Sequence, residues 1–284
     1  KDLQFLSDFV VGKEQETGIG ELGGISKLKG WIEISQLENV KNGNEAYDAR
    51  TLEKKHIKGL TLSWSEYGDV EDTRNDRDTL ANLQPHWDLE ELEINGYKDR
   101  IFPDWLGSPS YHHMTWLRLY NCKKCCILPP IGQLPTLKRL DIFGLERVVS
   151  IGDEFLKDND RAFMIPFRSL EDLLFSSMAS LEQWHSIDME AFPNLQRLEI
   201  SDCPKLVGNL PDLLPSLETL QIIRCPMFSS SLPRCPKLHN LETHGSGNVV
   251  WQEEELPHSL CMLVVSGSQM LESMLEGLSK HSHL

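Results

Sequence analysis

Apolar positions along this chain recur in one phrase: a leucine, two variable residues, Leu-x-Leu or Leu-x-Ile, then two more residues and often a cysteine. It reads Leu195-Gln-Arg-Leu198-Glu-Ile200-Ser-Asp-Cys203, and again Leu217-Glu-Thr-Leu220-Gln-Ile222-Ile-Arg-Cys225. Earlier it is Met114-Thr-Trp-Leu117-Arg-Leu119-Tyr-Asn-Cys122. The Leu-x-Leu core alternates with the period of a strand, so its apolar side chains share one face and the x side chains take the other. Such a strand cannot bury its apolar row alone. Copies must stack in parallel, with the apolar rows sheltering one another and the x positions left on an open surface. The small thiol that follows packs there as a compact apolar group.

The phrase begins near Leu28, Ile57, Leu89, Met114, Leu137, Leu170, Leu195, Leu217, Leu238 and Leu260, with successive starts 21 to 33 residues apart. A period of about 20–29 residues is that of leucine-rich repeats. The expected fold is an α/β leucine-rich-repeat solenoid, a horseshoe with a parallel sheet on its concave face. Proline-rich return paths such as Leu128-Pro-Pro-Ile131 and Leu134-Pro135 predict irregular coil and short helices on the convex face. Residues 1–284 read as one domain of about ten irregular repeats, with insertions near 66–78 and 152–166. The first insertion, Glu66 to Asp78, reads as a charged mobile excursion before a short helix at Thr79–Leu83 that Pro85 ends. The second, with Asp153, Asp158, Asn159 and Asp160, reads as a solvated outer loop. A further helix is expected from Asn44 to Lys55, with Ala46, Ala49 and Leu52 on one side and Asn44 as its cap. The chain starts at Lys1 without a methionine and neither end supplies a polar cap, so the sequence reads as a fragment of a longer protein.

Charge narrows the function classes. A formal charge of −15 argues against a general nucleic-acid binder, because phosphate contacts need a basic field. No apolar run reaches the roughly 18 residues that span a bilayer, and no basic-then-apolar segment opens the chain. Seven cysteines is an odd number, and Cys122, Cys203 and Cys225 occupy equivalent core positions. Reduced thiols in a cytoplasmic protein are therefore expected.

Five constellations invite chemistry. Gly18-Ile-Gly20-Glu-Leu-Gly23 has the dinucleotide-binding spelling, but Gly12-Lys-Glu-Gln-Glu-Thr17 separates it from Val10-Val11, and Gly24 weakens a following helix. It reads as a loop, and no phosphate-loop motif exists in this chain. Cys122-Lys-Lys-Cys125-Cys126 lacks a second ligand pair, and Cys225, Cys235, His239 and His244 match no zinc spacing. Cys122 reads as core, with Cys125 and Cys126 on the turn. Glu253-Glu254-Glu255 reads as a solvated run, and Trp31, Trp64, Trp105, Trp184 and Trp251 read as packing beside the repeats. No catalytic motif is found, so no catalytic, metal or cofactor residue is assigned.

What remains is the concave surface. Its x positions include Glu90, Glu91, Glu93 and Asn95, then Trp116, Arg118, Tyr120 and Asn121, then Lys138, Arg139, Asp141 and Phe143. Later repeats add Gln196, Arg197, Glu199 and Asp202, then Thr219, Gln221, Ile223 and Arg224. Aromatic and arginine residues dominate the energetic centres of protein interfaces. The candidate contact residues are Trp116, Arg118, Tyr120, Lys138, Arg139, Asp141, Phe143, Arg197, Glu199, Gln221 and Arg224.

More specific phrases run in order along most of residues 5–245. They include Phe9-Val-Val-Gly12-Lys, Leu28-Lys-Gly30-Trp-Ile-Glu-Ile34, Leu60-Thr-Leu62-Ser-Trp64, Phe102-Pro-Asp-Trp105, Leu128-Pro-Pro-Ile-Gly132-Gln-Leu-Pro135, Ile151-Gly-Asp-Glu-Phe155 and Leu181-Glu-Gln-Trp184. The chain resembles the repeat region of plant intracellular nucleotide-binding leucine-rich-repeat immune receptors of the coiled-coil class. The resemblance implies an autoinhibitory repeat domain that senses a pathogen effector or a guarded host protein. It also implies intramolecular contact with an upstream domain that exchanges ADP for ATP. An alternative reading is the substrate-binding repeat domain of an F-box ubiquitin-ligase adaptor.

Overall fold

The computed structural model describes residues 3–13, 17–65, 74–156, 165–185, 191–208, 210–247, 249–250 and 259–266. Its frame is one parallel sheet of eleven strands. In spatial order these are β1 (Asp8–Val10), β2 (Gly30–Ser35), β3 (Ile57–Ser63), β4 (Glu91–Asn95), β5 (Trp116–Tyr120), β6 (Arg139–Phe143), β8 (Asp172–Ser176), β10 (Arg197–Ser201), β11 (Thr219–Ile223), β13 (Asn240–His244) and β15 (Met262–Ser266). Two outer pairs flank it: β7 (Ser150–Ile151) with β9 (Gln183–Trp184), and β12 (Ser230–Ser231) with β14 (Val249–Val250). Ten of the eleven strands carry the repeat phrase. The extra one, β1, pairs Phe9 with Ile34 although it lacks the phrase.

Register explains the core. Leu60, Leu92, Leu117, Leu140, Leu173, Leu198, Leu220 and Leu241 form one row of cross-strand partners, every member buried. Leu62, Ile94, Leu119, Ile142, Phe175, Ile200, Ile222 and Thr243 form the next. Burial of each aliphatic side chain contributes about 1.5–3 kcal/mol, and no strand could bury its row without both neighbours.

The residue after the strand turns the chain outward through a left-handed conformation. Gln36, Gly96, Asn121, Gly144, Ser177, Asp202, Arg224 and Gly245 all have φ between 53° and 73° there. The amide of each from Gly96 to Arg224 donates to the carbonyl that ends the next main-sheet strand, as Asn121 does to Phe143 at 2.9 Å. Glycine, asparagine and aspartate tolerate this corner most readily. The cysteines come one residue later. Cys122, Cys203 and Cys225 are fully buried, with thiols turned onto carbonyls such as Tyr120 O at 3.4 Å.

The convex side is irregular, with α1 (Gly43–Asp48), α2 (Arg74–Asn82), α3 (Asp153–Leu156) and short 3-10 turns. Three local expectations are corrected. The helix expected over Asn44–Lys55 is α1 followed by a separate 3-10 turn at Thr51–Glu53, because Arg50 takes φ 52° and breaks it. Asn42, not Asn44, caps α1, accepting from the Glu45 amide at 3.1 Å, and Leu52 is 39% exposed. The helix expected at Thr79–Leu83 begins earlier, at Arg74, so 74–78 is helical and not loop; 66–73 lie outside the described residues. The second insertion opens with α3, whose Phe155 and Leu156 are buried, and 157–164 lie outside the described residues.

Candidate contact surface on the concave face

Because strand side chains alternate, the x positions of successive repeats align into rows across the concave face. One row runs Trp31, Gly59, Glu91, Trp116, Arg139, Asp172, Arg197, Thr219, Asn240 and Met262. The next runs Glu33, Thr61, Glu93, Arg118, Asp141, Leu174, Glu199, Gln221, Glu242 and Val264. A third includes Asn95, Tyr120, Phe143, Ser176, Ser201, Ile223 and His244.

The first two rows are bridged by a closed square of four side chains. Trp116 faces Arg139 and Arg118 faces Asp141 across the β5–β6 pair. The Asp141 carboxylate accepts the Trp116 indole N–H at 3.0 Å, Arg139 Nε at 3.1 Å and Arg118 Nη2 at 3.4 Å. The Arg118 and Arg139 guanidinium carbons lie 4.7 and 5.5 Å from the Trp116 ring centroid. Arg118 also pairs with Glu93 at 3.3 Å. Planar groups are thus held in fixed orientations, which suits them to contact another protein at low entropic cost. Asp141 does not face solvent as expected of an x position. It is buried beneath the two arginines and orients them.

The remaining expected residues surround this square in two directions. Tyr120 and Phe143 stack at 4.8 Å beside it, while Lys138 pairs with Glu171 at 3.0 Å. Toward the C-terminus, Arg197 Nη2 donates to Asp172 at 2.5 Å, Gln221 donates to Glu242 at 2.8 Å, and Glu199 accepts from Ser201. Arg139, Asp141, Asp172, Leu174, Arg197, Glu199 and Gln221 line one shallow depression of about 120 Å³, with Leu174 an apolar residue on a charged row. Arg224 lies off the strand rows, on the left-handed corner, where it pairs with Asp202 at 2.5 Å and holds that carboxyl below its usual value.

Asp172 and Leu174 were not singled out from the sequence, though their register between Arg139 and Arg197 is implied by the repeat. Trp31 contradicts its expected packing role. It is 62% exposed on the concave face, where its strand neighbour Gly59 has no side chain to cover it. Trp64, Trp105 and Trp184 are buried as expected, and Trp251 and Glu253-Glu254-Glu255 lie outside the described residues.

The glycine cluster forms a 3-10 turn, Ile19–Gly24, and not a strand-turn-helix. Glu21, Glu45 and Asp48 line the same depression against a single cation, Arg50, an acidic balance that disfavours phosphate. Cys125 closes the turn, its amide donating to the Cys122 carbonyl at 3.1 Å, but its side chain is buried with Cys122, and burial pushes its thiol up to about 12. No group of three metal-ligating side chains occurs among the described residues, where no helix is long and apolar enough to cross a membrane.

Comparison with known proteins adds an independent line. Residues 19–145 match the family described as R13L1/DRL21 LRRs. Disease resistance RPP13-like protein 1 of Arabidopsis thaliana is 37% identical over 222 residues, covering 72% of this chain and 21% of the relative. The disease resistance protein At3g14460 of the same plant is 36% identical over 221 residues, covering 75% and 16%. Disease resistance protein RGA2 of Solanum bulbocastanum is 32% identical over 207 residues, covering 72% and 21%. The chain therefore spans about a fifth of the length of the curated relatives it matches.

Proposed function

This chain is a leucine-rich-repeat region of the plant disease-resistance kind, with the R13L1/DRL21 module over residues 19–145, and from that premise we propose that its concave face is the recognition surface of an immune receptor. The observation that carries this reading is the Trp116–Arg118–Arg139–Asp141 square, an aromatic and two guanidiniums preset by one buried carboxylate. The ligand is a pathogen effector or a guarded host protein, and the receptor is cytoplasmic. In its absence the repeat region restrains an upstream domain that exchanges ADP for ATP. Release follows by population shift, in which the ligand binds the open receptor more tightly than the closed one. No step of this mechanism asks the repeat region for catalysis. The F-box adaptor reading loses ground, because the relatives reported above are disease-resistance proteins.

The test replaces Arg118, Tyr120, Lys138 and Arg139 with alanine together in the full receptor and follows its cell-death response. Loss of the ligand response, or response without ligand, is expected while the repeat region keeps its circular dichroism. An unchanged response would remove this surface from the mechanism.

A further inference from the structure

The concave face carries a second exposed tryptophan. The Trp31 indole lies across Gly59, where an added Cβ would stand only 1.9 Å from Trp31 Cδ1. Past Gly59 its N–H reaches Glu91 Oε2 at 3.4 Å. Trp31, Gly59, Glu91 and Trp116 are successive members of one row, so the two tryptophans occupy equivalent positions on the sheet.

Their surroundings follow one plan with one component changed. At each, a carboxylate takes the indole N–H: Asp141 for Trp116 and Glu91 for Trp31. At Trp116 the residue two positions on and the residue directly opposite are Arg118 and Arg139, both over the ring. At Trp31 those two positions hold Glu33 and Gly59. Lys29, two residues earlier, lies 4.7 Å over the Phe5 ring instead. Among the described residues no cation lies over Trp31, and neither Glu33 nor its register partner Asp8 has a basic partner. The indole face is negative by its quadrupole and the carboxylates add to that field, so the missing component is a cation.

We propose that the N-terminal end of the concave face docks a lysine- or arginine-bearing segment of a partner protein, with one cation seated over Trp31 between Glu33 and Glu91. This rests on reading the concave face as a recognition surface and gives the ligand's chemistry at one end of it. The arginine-lined centre suits acidic groups, and this end suits basic ones, so a partner of mixed charge is oriented along the sheet.

The test titrates a capped oligo-arginine peptide, and its oligo-glutamate counterpart, into the full chain by calorimetry at low and physiological salt. The arginine peptide binds, more weakly in salt, whereas any binding of the glutamate peptide at the arginine-lined centre is unchanged by Trp31→Ala. For the arginine peptide, Trp31→Ala weakens binding about fivefold, Trp31→Phe retains part of the affinity, and Glu33→Gln and Glu91→Gln each weaken it. Asp212→Asn, which removes the same charge elsewhere, leaves it unchanged. Equal affinity in Trp31→Ala and the parent, or an equal loss in Asp212→Asn, would show general attraction to an acidic chain and overturn the proposal. Should Trp31→Ala lose its circular dichroism, the comparison of Glu33→Gln with Asp212→Asn decides the matter alone. The measurement needs no receptor signalling, so its failure is distinct from failure of the recognition reading.

Discussion

Asp141 accepts the indole N–H of Trp116 at 3.0 Å from the diagonal position across β5 and β6, and it is 3% exposed. The buried carboxylate thus sits under the surface it organises. Replacing it leaves one indole and two guanidiniums without their common acceptor, and hydrogen bonds to charged groups are worth about 1.5–3 kcal/mol each in favourable settings. Asp141→Ala should lower stability by about 2 kcal/mol in urea denaturation. Asp141→Asn, which keeps an acceptor for the indole, should lose about half of that. Two variants as stable as the parent would show that the square contributes no order.

The repeat made most of the fold legible, because a fixed period states both which side chains face inward and which strands are neighbours. It also placed Trp116, Arg118, Arg139 and Arg197 on one face. What it did not show depends on cross-strand partners. Asp141 is buried because Arg118 and Arg139 cover it, and Arg118 stands 23 residues away in sequence. Trp31 is exposed because Gly59, a residue with no side chain to stand beside it, is its neighbour. The helix over Asn44–Lys55 read as continuous because Ala46, Ala49 and Leu52 keep helical spacing. The break at Arg50 lets Thr51 and Lys54 turn inward instead.

Stability should depend on pH through two carboxylates with opposite signs. Burial beside Trp64 raises the Asp76 carboxyl above its usual value, although the indole N–H at 3.1 Å opposes the shift. A raised folded value means its contribution is present at acid pH and lost as pH rises through that value. Asp202 is held low by Arg224, so its contribution is present at neutral pH and lost as pH falls through its folded value. Asp76→Asn should therefore melt higher than the parent at neutral pH, with the gap closing on acidification. Asp202→Asn should melt slightly lower at neutral pH, with its gap closing at more acid values. Parallel melting curves across the pH range would refute both assignments.

The cysteines report on the repeat stack directly. Cys122, Cys125, Cys203, Cys225 and Cys235 are buried, Cys126 is partly so, and Cys261 is exposed. Burial raises the thiol of Cys122, and a hydrogen bond to the Cys225 sulfur together with burial raises that of Cys203, which keeps both protonated as well as shielded. An aromatic disulfide reagent at neutral pH should label Cys261 quickly, Cys126 slowly, and the other five only in denaturant. Fast native labelling of Cys203 or Cys225 would mean that their strands are not stacked as described.

Lys54 offers the last test, at the N-terminal end of the stack. It is 4% exposed, yet its ammonium donates to the carbonyls of Leu22 at 2.7 Å and Ile25 at 3.0 Å, tying the first 3-10 turn to the third strand's approach. Burial lowers its value from that of a free lysine, so its protonation disfavours folding and stability through this group rises with pH as the proton is lost. Lys54→Met has nearly the same length and fills the same apolar channel, but leaves both carbonyls without their donor. An unmet buried acceptor costs about 1–3 kcal/mol, while removing a buried charge returns part of that. The expected result is a net loss of about 1 kcal/mol near neutral pH, growing at alkaline pH as the parent gains stability. Hydrogen exchange should localise the loss to the amides of residues 19–34, because repeats couple mainly to their neighbours. A loss spread evenly to β11 and β13 would show instead that the eleven strands unfold as one unit.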